Sequence, residues 1–496
     1  MCRNEVSPSA IVSIIRSGFW LYGVSILNNL FGFVYWFAIS RIGGAQLLGL
    51  TSATVSLASM VSSILSLGIP TGLMRFLGIE RGRREGLARY LWSSAIFLSS
   101  IYLSTSLALL VLSMLGVSVA NFSPSMFRAA SILVALSSSS AFTTYLISTL
   151  RTRTLFLSVL IGNLLKLGIG IEAVYLGLGW FGAVLGYASI GAVNLCIGLY
   201  MAVKTLGVRV VLDPKAILRV LKAGLTVWIP SIIAIVGQWL SVLFVFGVKG
   251  ATETGYYYLA FTITGLAVGI ATSMTTLLIP ILSGMKRGRG YVSYTVMRLG
   301  LAIVSPIVFA LLTYPHIPLE LLGPEYVAAS NTLRILLLSS FATIVLSTIS
   351  NYMYSLALYR HVTSAGILQT TTRLLLYIAL VREYSGLGVA IAYSVGTYVG
   401  LGYAIVMAKR LSVDIDYRRI ATIAILPGLP SVLAYTLNLC WLLGLPIIAS
   451  TYLIYMKLRL ITRKDLQLLA YAILSRERVY TLYTKMKPLI DLLIPE

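Results

Sequence analysis

The sequence predicts an all-α integral membrane protein of about 14 transmembrane helices, two parallel six-helix lobes plus two extra helices, both termini cytoplasmic. Three observations predict it: an apolar composition, a strict alternation of basic connections, and an internal repeat. Of 496 residues, 58% are hydrophobic and only 11% charged, and the mean hydropathy is +0.92. A soluble domain carries about 25% charged residues, so this much apolar surface must face lipid and neighbouring helices. The apolar runs are continuous rather than alternating, which excludes a transmembrane barrel.

Runs long enough to span occur at 18–40, 50–74, 90–116, 128–150, 155–177 and 181–203. A second series lies at 225–248, 255–281, 294–313, 331–358, 363–381 and 386–408, and a last pair at 420–439 and 441–456. The stretch Met1 to Arg16 is polar and basic without a small-residue cleavage site, so the first run is expected to be a retained helix. The formal charge of +23 follows the topology rather than forming a basic domain, which excludes nucleic acid as a partner. With the amino terminus inside, the inner connections hold Arg81, Arg83, Arg84, Arg89, Arg151, Arg153, Lys204, Lys286, Arg298, Arg360, Lys409 and the basic tail. The outer ones hold only Arg41, Arg128, Lys249, Arg334 and Arg382.

The repeat appears on shifting the chain by 206 residues: Gly18 falls on Gly224, Gly44 on Gly250 and Gly49 on Gly255. Gly182-Ala183-Val184-Leu185-Gly186-Tyr187 falls on Gly388-Val389-Ala390-Ile391-Ala392-Tyr393. Parallel copies of six helices imply a pseudo-twofold along the membrane normal, the architecture of carriers that rock. The expected organisation is a lobe at 1–206, a lobe at 207–412, two additional helices at 413–456, and a basic amphipathic cytoplasmic tail at 457–496. In that tail Thr462 reads as a helix cap with Asp465 at the third helical position.

No enzyme constellation is present. His316 and His361 lie in connections on opposite sides, Cys2, Cys196 and Cys440 have no metal or disulfide spacing, and no phosphate-binding, hydrolase or metalloprotease motif occurs. Glu320 and Glu325 flank a Gly-Pro turn, a weak arrangement for catalysis. No metal or cofactor is expected, and the chain is not expected to be an enzyme.

Charges inside the spans carry more information, because each costs about 2.5–3.5 kcal/mol at mid-bilayer on insertion scales. Arg75, Lys166 and Arg373 are basic. Lys166 and Arg373 each lie roughly 15 Å deep at ~1.5 Å per residue, and they are repeat partners within one residue. Cations facing a cleft suit an anion, and a phosphate or pyrophosphate fits. Glu172, six residues beyond Lys166, is a candidate for proton coupling or a structural partner of the lysine. Asn28, Asn29 and Gln238 are candidate polar cleft lining, with hydrogen bonding between helices as the plainer role.

The chain resembles the polysaccharide-transporter (Wzx-like) branch of the multidrug/oligosaccharidyl-lipid/polysaccharide exporter superfamily. The residues that carry the resemblance are Ile39-Ser40-Arg41-Ile42-Gly43-Gly44-Ala45-Gln46-Leu47-Leu48-Gly49, the Leu67-Gly68-Ile69-Pro70 to Arg75-Phe76 segment, the Gly179-Trp180-Phe181-Gly182-Ala183 turn and Ile461-Thr462-Arg463-Lys464-Asp465. The resemblance implies a flippase of the cell (plasma) membrane that moves a lipid-linked oligosaccharide from the cytoplasmic to the outer leaflet by alternating access. Arg75, Lys166 and Arg373 are then the cavity cations, H+ or Na+ the candidate coupling ion, and membrane lipids and glycan-assembly enzymes the surroundings. The alternatives are a cation-coupled multidrug exporter, which calls for acidic cleft residues, and a membrane-embedded glycan polymerase or ligase.

Overall fold

The computed structural model describes residues 8–207, 212–276, 278, 282, 288–411, 415–462 and 465; the side chains of 8–19, 22, 226, 227, 229–231, 233–236, 238 and 276 lie outside that set. The described residues are helical apart from short turns and one isolated bridge between Val119 and Phe122. Among them, nine helical segments are long and apolar enough to cross a membrane. This is a multi-pass membrane protein. Three of the segments, Gly23–Leu65, Thr152–Leu206 and Tyr359–Arg410, are 43, 55 and 52 residues long, against about 20 needed for one crossing.

Each long segment is broken by a non-helical residue: Gly44 at φ 65°, Gly177 at φ 87° and Ser385 at φ 50°. The expected helix ends therefore survive as sharp breaks rather than as loops. Other expected spans are divided further. The run at 50–74 ends at Leu65 within α1 (Pro8–Leu65) and resumes as α2 (Ile69–Ile79). The turn between them holds Leu67 and Gly68 at positive φ, and Pro70 starts the new helix. The run at 128–150 is split at Ser137 and Ser138 into α4 (Pro124–Leu136) and α5 (Ser139–Ser148), after α3 (Arg84–Met114). The final runs are split around Leu426-Pro427 and at Ser450.

The chain forms two compact units. The first comprises residues 1–259, 322–326 and 374–389, and the second 260–321, 327–373 and 390–496. In the first unit, α6 (Thr152–Ala173) turns through a π-helical segment into α7 (Gly179–Leu206). The two run antiparallel: Gly170 lies against Gly186, Gly162 against Ile190, and Ser158 donates to Asn194 Oδ1 at 2.6 Å. A Cβ at Gly186 would overlap the Gly170 backbone, so the approach requires two glycines.

The offset of 206 recurs in space within this unit. A Cβ at Gly49 would overlap the carbonyl of Ala251, and one at Gly255 the carbonyl of Ala45. Alongside, Tyr326 Oη donates to the Ser40 carbonyl at 3.3 Å and Asn121 Nδ2 to the Phe246 carbonyl at 2.8 Å. Ser40 and Phe246 are again 206 apart. The two glycine contacts join α1 to α9 (Ala251–Thr276), and Asn121 ties the turn before residue 124 to α8 (Pro214–Lys249).

In the second unit, α10 (Arg289–Thr313) packs against the last helices. Tyr452 Oη donates to the Ile303 carbonyl at 2.9 Å, and Thr313 and Ser431 hydroxyls meet at 2.6 Å. At its start Arg298 forms a buried ion pair with Asp465 at 2.5 Å. Asp465 also closes the expected cap, accepting from Thr462 N at 2.8 Å and from its hydroxyl at 2.7 Å. The amphipathic tail read at Leu466 to Leu474 lies outside the described residues. Further along, α11 (His316–Leu322) and α12 (Ser330–Ser355) lead into α13 (Tyr359–Arg410), in which residues 359–373 pair back on 390–410.

Candidate functional site

Gly162, Lys166 and Gly170 are spaced four apart, so they share one stripe of α6. That stripe is the one pressed on α7, and it draws the stem of Lys166 into the interface, leaving the residue 2% exposed. The ammonium emerges between two aromatic faces, 5.1 Å from the Tyr35 ring centroid and 5.9 Å from that of Tyr187. Tyr35 is held in place by its hydroxyl, which donates to the Ala183 carbonyl. Two rings stabilise a desolvated cation by their quadrupoles, in the place a carboxylate would otherwise fill. Among the described residues Lys166 has no ion-pair partner and no hydrogen-bond partner.

The lysine opens on a cavity of about 480 Å³ lined also by Asn28, Trp36, Ser62, Tyr187 and Asn194. Among the described residues no carboxylate lines it. A second cavity of about 560 Å³ shares Ser62, Ser137, Ser139 and Asn194 with the first and extends to Thr71 and Trp228. Both fall within the range of about 300–1,000 Å³ typical of small-molecule sites. The first can hold an anion on one fixed positive charge, with amide and hydroxyl groups around it.

Arg373 is 4% exposed, and its surroundings differ. Its guanidinium lies 3.8 Å from the Tyr393 ring centroid, Nε donates to the Tyr393 carbonyl at 3.3 Å, and Nη2 donates to Thr397 Oγ1 at 2.8 Å. A Cβ at Gly396 would overlap its Cγ, so the glycine makes the channel through which the stem passes. Tyr187 and Tyr393 are repeat mates, so each buried cation meets the equivalent tyrosine of its own half of the chain. The two cations nonetheless do different things: Lys166 presents its charge to a cavity, whereas Arg373 spends hydrogen bonds on its own hairpin.

The other expected residues separate from Lys166. Asn28 lines the cavity and accepts from Asn163 Nδ2 at 3.1 Å, while Asn163 Oδ1 is buried without a partner. Asn29 is exposed and does not line either cavity. Arg75 is exposed on α2, its guanidinium 5.9 Å from the Phe76 ring centroid, and it lines neither cavity although Thr71 does. Glu172 is exposed and makes no ion pair with Lys166, because six residues along a helix turn it well off the lysine's face. The Gln238 side chain lies outside the described residues. Glu325 packs against Gly44 and Gly323 in the first unit.

Sequence reasoning missed the tyrosines and the hydroxyl lining. Tyr187 and Tyr393 end the matched repeat stretch, so their pairing with the two cations was open to inspection. The run Ser137-Ser138-Ser139-Ser140 is equally plain, but its exposure to a cavity depends on the break between α4 and α5.

The sequence matches the family described as "Polysaccharide biosynthesis protein" over residues 14–286. The chain belongs to that family. No curated protein sequence matches it significantly. Among solved structures, the lipid II flippase MurJ in an inward closed conformation superposes with a TM-score of 0.73 at 14% identity, covering 90% of this chain and 98% of that one. An inward-facing multidrug resistance MATE family transporter of the MOP superfamily gives 0.61 at 15% identity over 80% and 95%. A MOP superfamily transporter from Pyrococcus furiosus, whose structure is described by a reversed polarity of its binding pocket, gives 0.56 at 15% over 83% and 96%. This member of the polysaccharide biosynthesis family therefore has the fold of the MOP superfamily transporters.

Proposed function

We propose that this chain flips a lipid-linked oligosaccharide, carried on a polyprenyl phosphate or pyrophosphate, from the cytoplasmic to the outer leaflet of the cell membrane by alternating access. The observation that carries the reading is Lys166: a buried ammonium that, among the described residues, has no counter-charge and opens on a cavity with no carboxylate. Isolated charge inside a membrane protein is retained for a ligand, and the ligand of an unpaired cation is an anion. Family membership and the likeness to a lipid II flippase support a lipid-linked saccharide as that anion. The repeat at 206 residues supports two lobes, 1–206 and 207–412, with 413–456 added, and the distribution of basic residues supports cytoplasmic termini. Export of cationic drugs would call for acidic groups where this cavity has a lysine, amides and hydroxyls.

The test is flipping of a fluorescent lipid-linked oligosaccharide in proteoliposomes. Lys166→Ala should lower the rate tenfold or more in a variant that keeps its melting temperature, and Lys166→Arg should retain a substantial part. Wild-type rates in Lys166→Ala would remove the lysine from transport, and no protein-dependent flipping by the wild type would overturn the reading.

A further inference from the structure

The two adjoining cavities differ in what their walls offer. In the second, many hydroxyls spend their protons on the protein itself, while those of Thr71, Ser139 and Ser140 have no acceptor among the described residues. Ser63 donates to the Ser59 carbonyl at 2.7 Å, Ser66 to that of Ser63 at 2.8 Å, and Thr143 to that of Ser140 at 3.0 Å. Ser137 donates to the Leu133 carbonyl at 3.0 Å and lies 2.8 Å from the Ser62 hydroxyl, so Ser62 is the donor of that pair. Two larger donors on this wall are also engaged: Trp228 Nε1 bonds the Ser63 carbonyl at 3.2 Å and Tyr102 Oη the Ser62 carbonyl at 3.2 Å. A hydroxyl has one proton and two lone pairs. With the proton directed back into the helix, the lone pairs are what remain for a ligand. This wall therefore offers hydroxyl lone pairs together with the free Thr71, Ser139 and Ser140 donors, and among the described residues no Lys, Arg, His, Asp or Glu lines the cavity.

Such a surface pairs with groups that both donate and accept, as hydroxyls do, and it offers an anion no counter-charge. A neutral sugar carries several hydroxyl donors. A uronate or other acidic sugar brings a carboxylate that would be desolvated with no cation on this wall to balance its charge. Resting on the proposed function, we infer that the second cavity is a subsite for the neutral, hydroxyl-rich sugar next to the phosphate, which Lys166 holds in the first cavity. The shared residues Ser62, Ser137, Ser139 and Asn194 set the two subsites side by side, as a sugar and its phosphate must be.

The test uses three probes that differ in one group each: farnesyl phosphate, its glucosyl phosphodiester and its glucuronosyl phosphodiester. Binding to the purified full chain is measured for the wild type, for Lys166→Ala, and for a variant combining Ser63→Ala, Ser66→Ala and Thr143→Val, whose residues line only the second cavity. The wild type should bind the glucosyl probe at least tenfold tighter than the glucuronosyl one and several-fold tighter than farnesyl phosphate. The triple variant should lose the gain from glucose and keep its affinity for farnesyl phosphate, with an unchanged melting temperature. Lys166→Ala should weaken all three probes. Equal affinity for the two sugars, preference for glucuronate, or a glucose gain that survives in the triple variant overturns the subsite alone. Failure of every probe to bind the wild type overturns the proposed function and the subsite with it.

Discussion

Lys166 and Arg373 show what a sequence can and cannot say about one residue. Depth and the repeat placed both in the membrane interior, and both are buried. What the sequence could not state is which way each polar head points, because that depends on neighbours remote in the chain. Gly396 decides it for Arg373 by leaving room for the side chain to lie back along its own hairpin. Gly396→Ala forces the stem out of that channel, and overpacking of this kind costs about 1–3 kcal/mol. The expected result is a lower melting temperature in detergent, restored when Arg373→Ala removes the obstruction. An unchanged melting temperature in the single variant would contradict the packing. Glu172 illustrates the opposite case: it stands near Lys166 in sequence, yet helical geometry turns it to the exterior.

At the scale of elements, helix positions were legible because each crossing needs a continuous apolar run of fixed length. Breaks were less so. Gly44, Gly177 and Ser385 turn the chain with almost no loop, and the split at Leu67-Gly68 falls inside an apolar run that nothing interrupts in hydropathy. The Thr462–Asp465 cap was readable from four consecutive residues, but the partner of Asp465, 167 positions away, was not. That partner makes the cap structural. Arg298→Ala leaves the Asp465 carboxylate buried without its counter-charge, and breaking such a pair costs about 3–5 kcal/mol. Thermal unfolding should shift to lower temperature by several degrees, and Asp465→Asn in the same background should recover part of the loss. A double variant no more stable than Arg298→Ala would show that the ion pair does not hold this segment.

For the whole molecule, composition was enough to give the class, and the offset of 206 residues already contained the reciprocal contacts of Gly49 with Ala251 and Ala45 with Gly255. A duplicated chain meets itself at equivalent positions, so a repeat visible in sequence foretells paired contacts in space. The serine-lined cavities were not foretold. They form where α1, α4, α5, α6 and α7, and for the second cavity also α2, α3 and α8, leave space between them, and the size of a gap is a property of packing that hydropathy does not encode. Membership of the polysaccharide biosynthesis family then joins a legible scaffold to a site that only the packed structure reveals.

That no described residue brings a carboxylate to the Lys166 cavity also bears on electricity. Over a complete cycle the protein returns to its starting state, so the lysine's own charge does no net work in the transmembrane field. If the cargo is the proposed lipid-linked anion and no counter-ion binds with it, each turnover carries its negative charge across uncompensated. An interior-negative potential then drives export by about 2.3 kcal/mol per charge per 100 mV. In proteoliposomes clamped with potassium and valinomycin, the lipid-linked anion should accumulate in the outer leaflet, with the logarithm of its leaflet ratio proportional to voltage. An even distribution at every voltage would mean that a counter-ion travels with it.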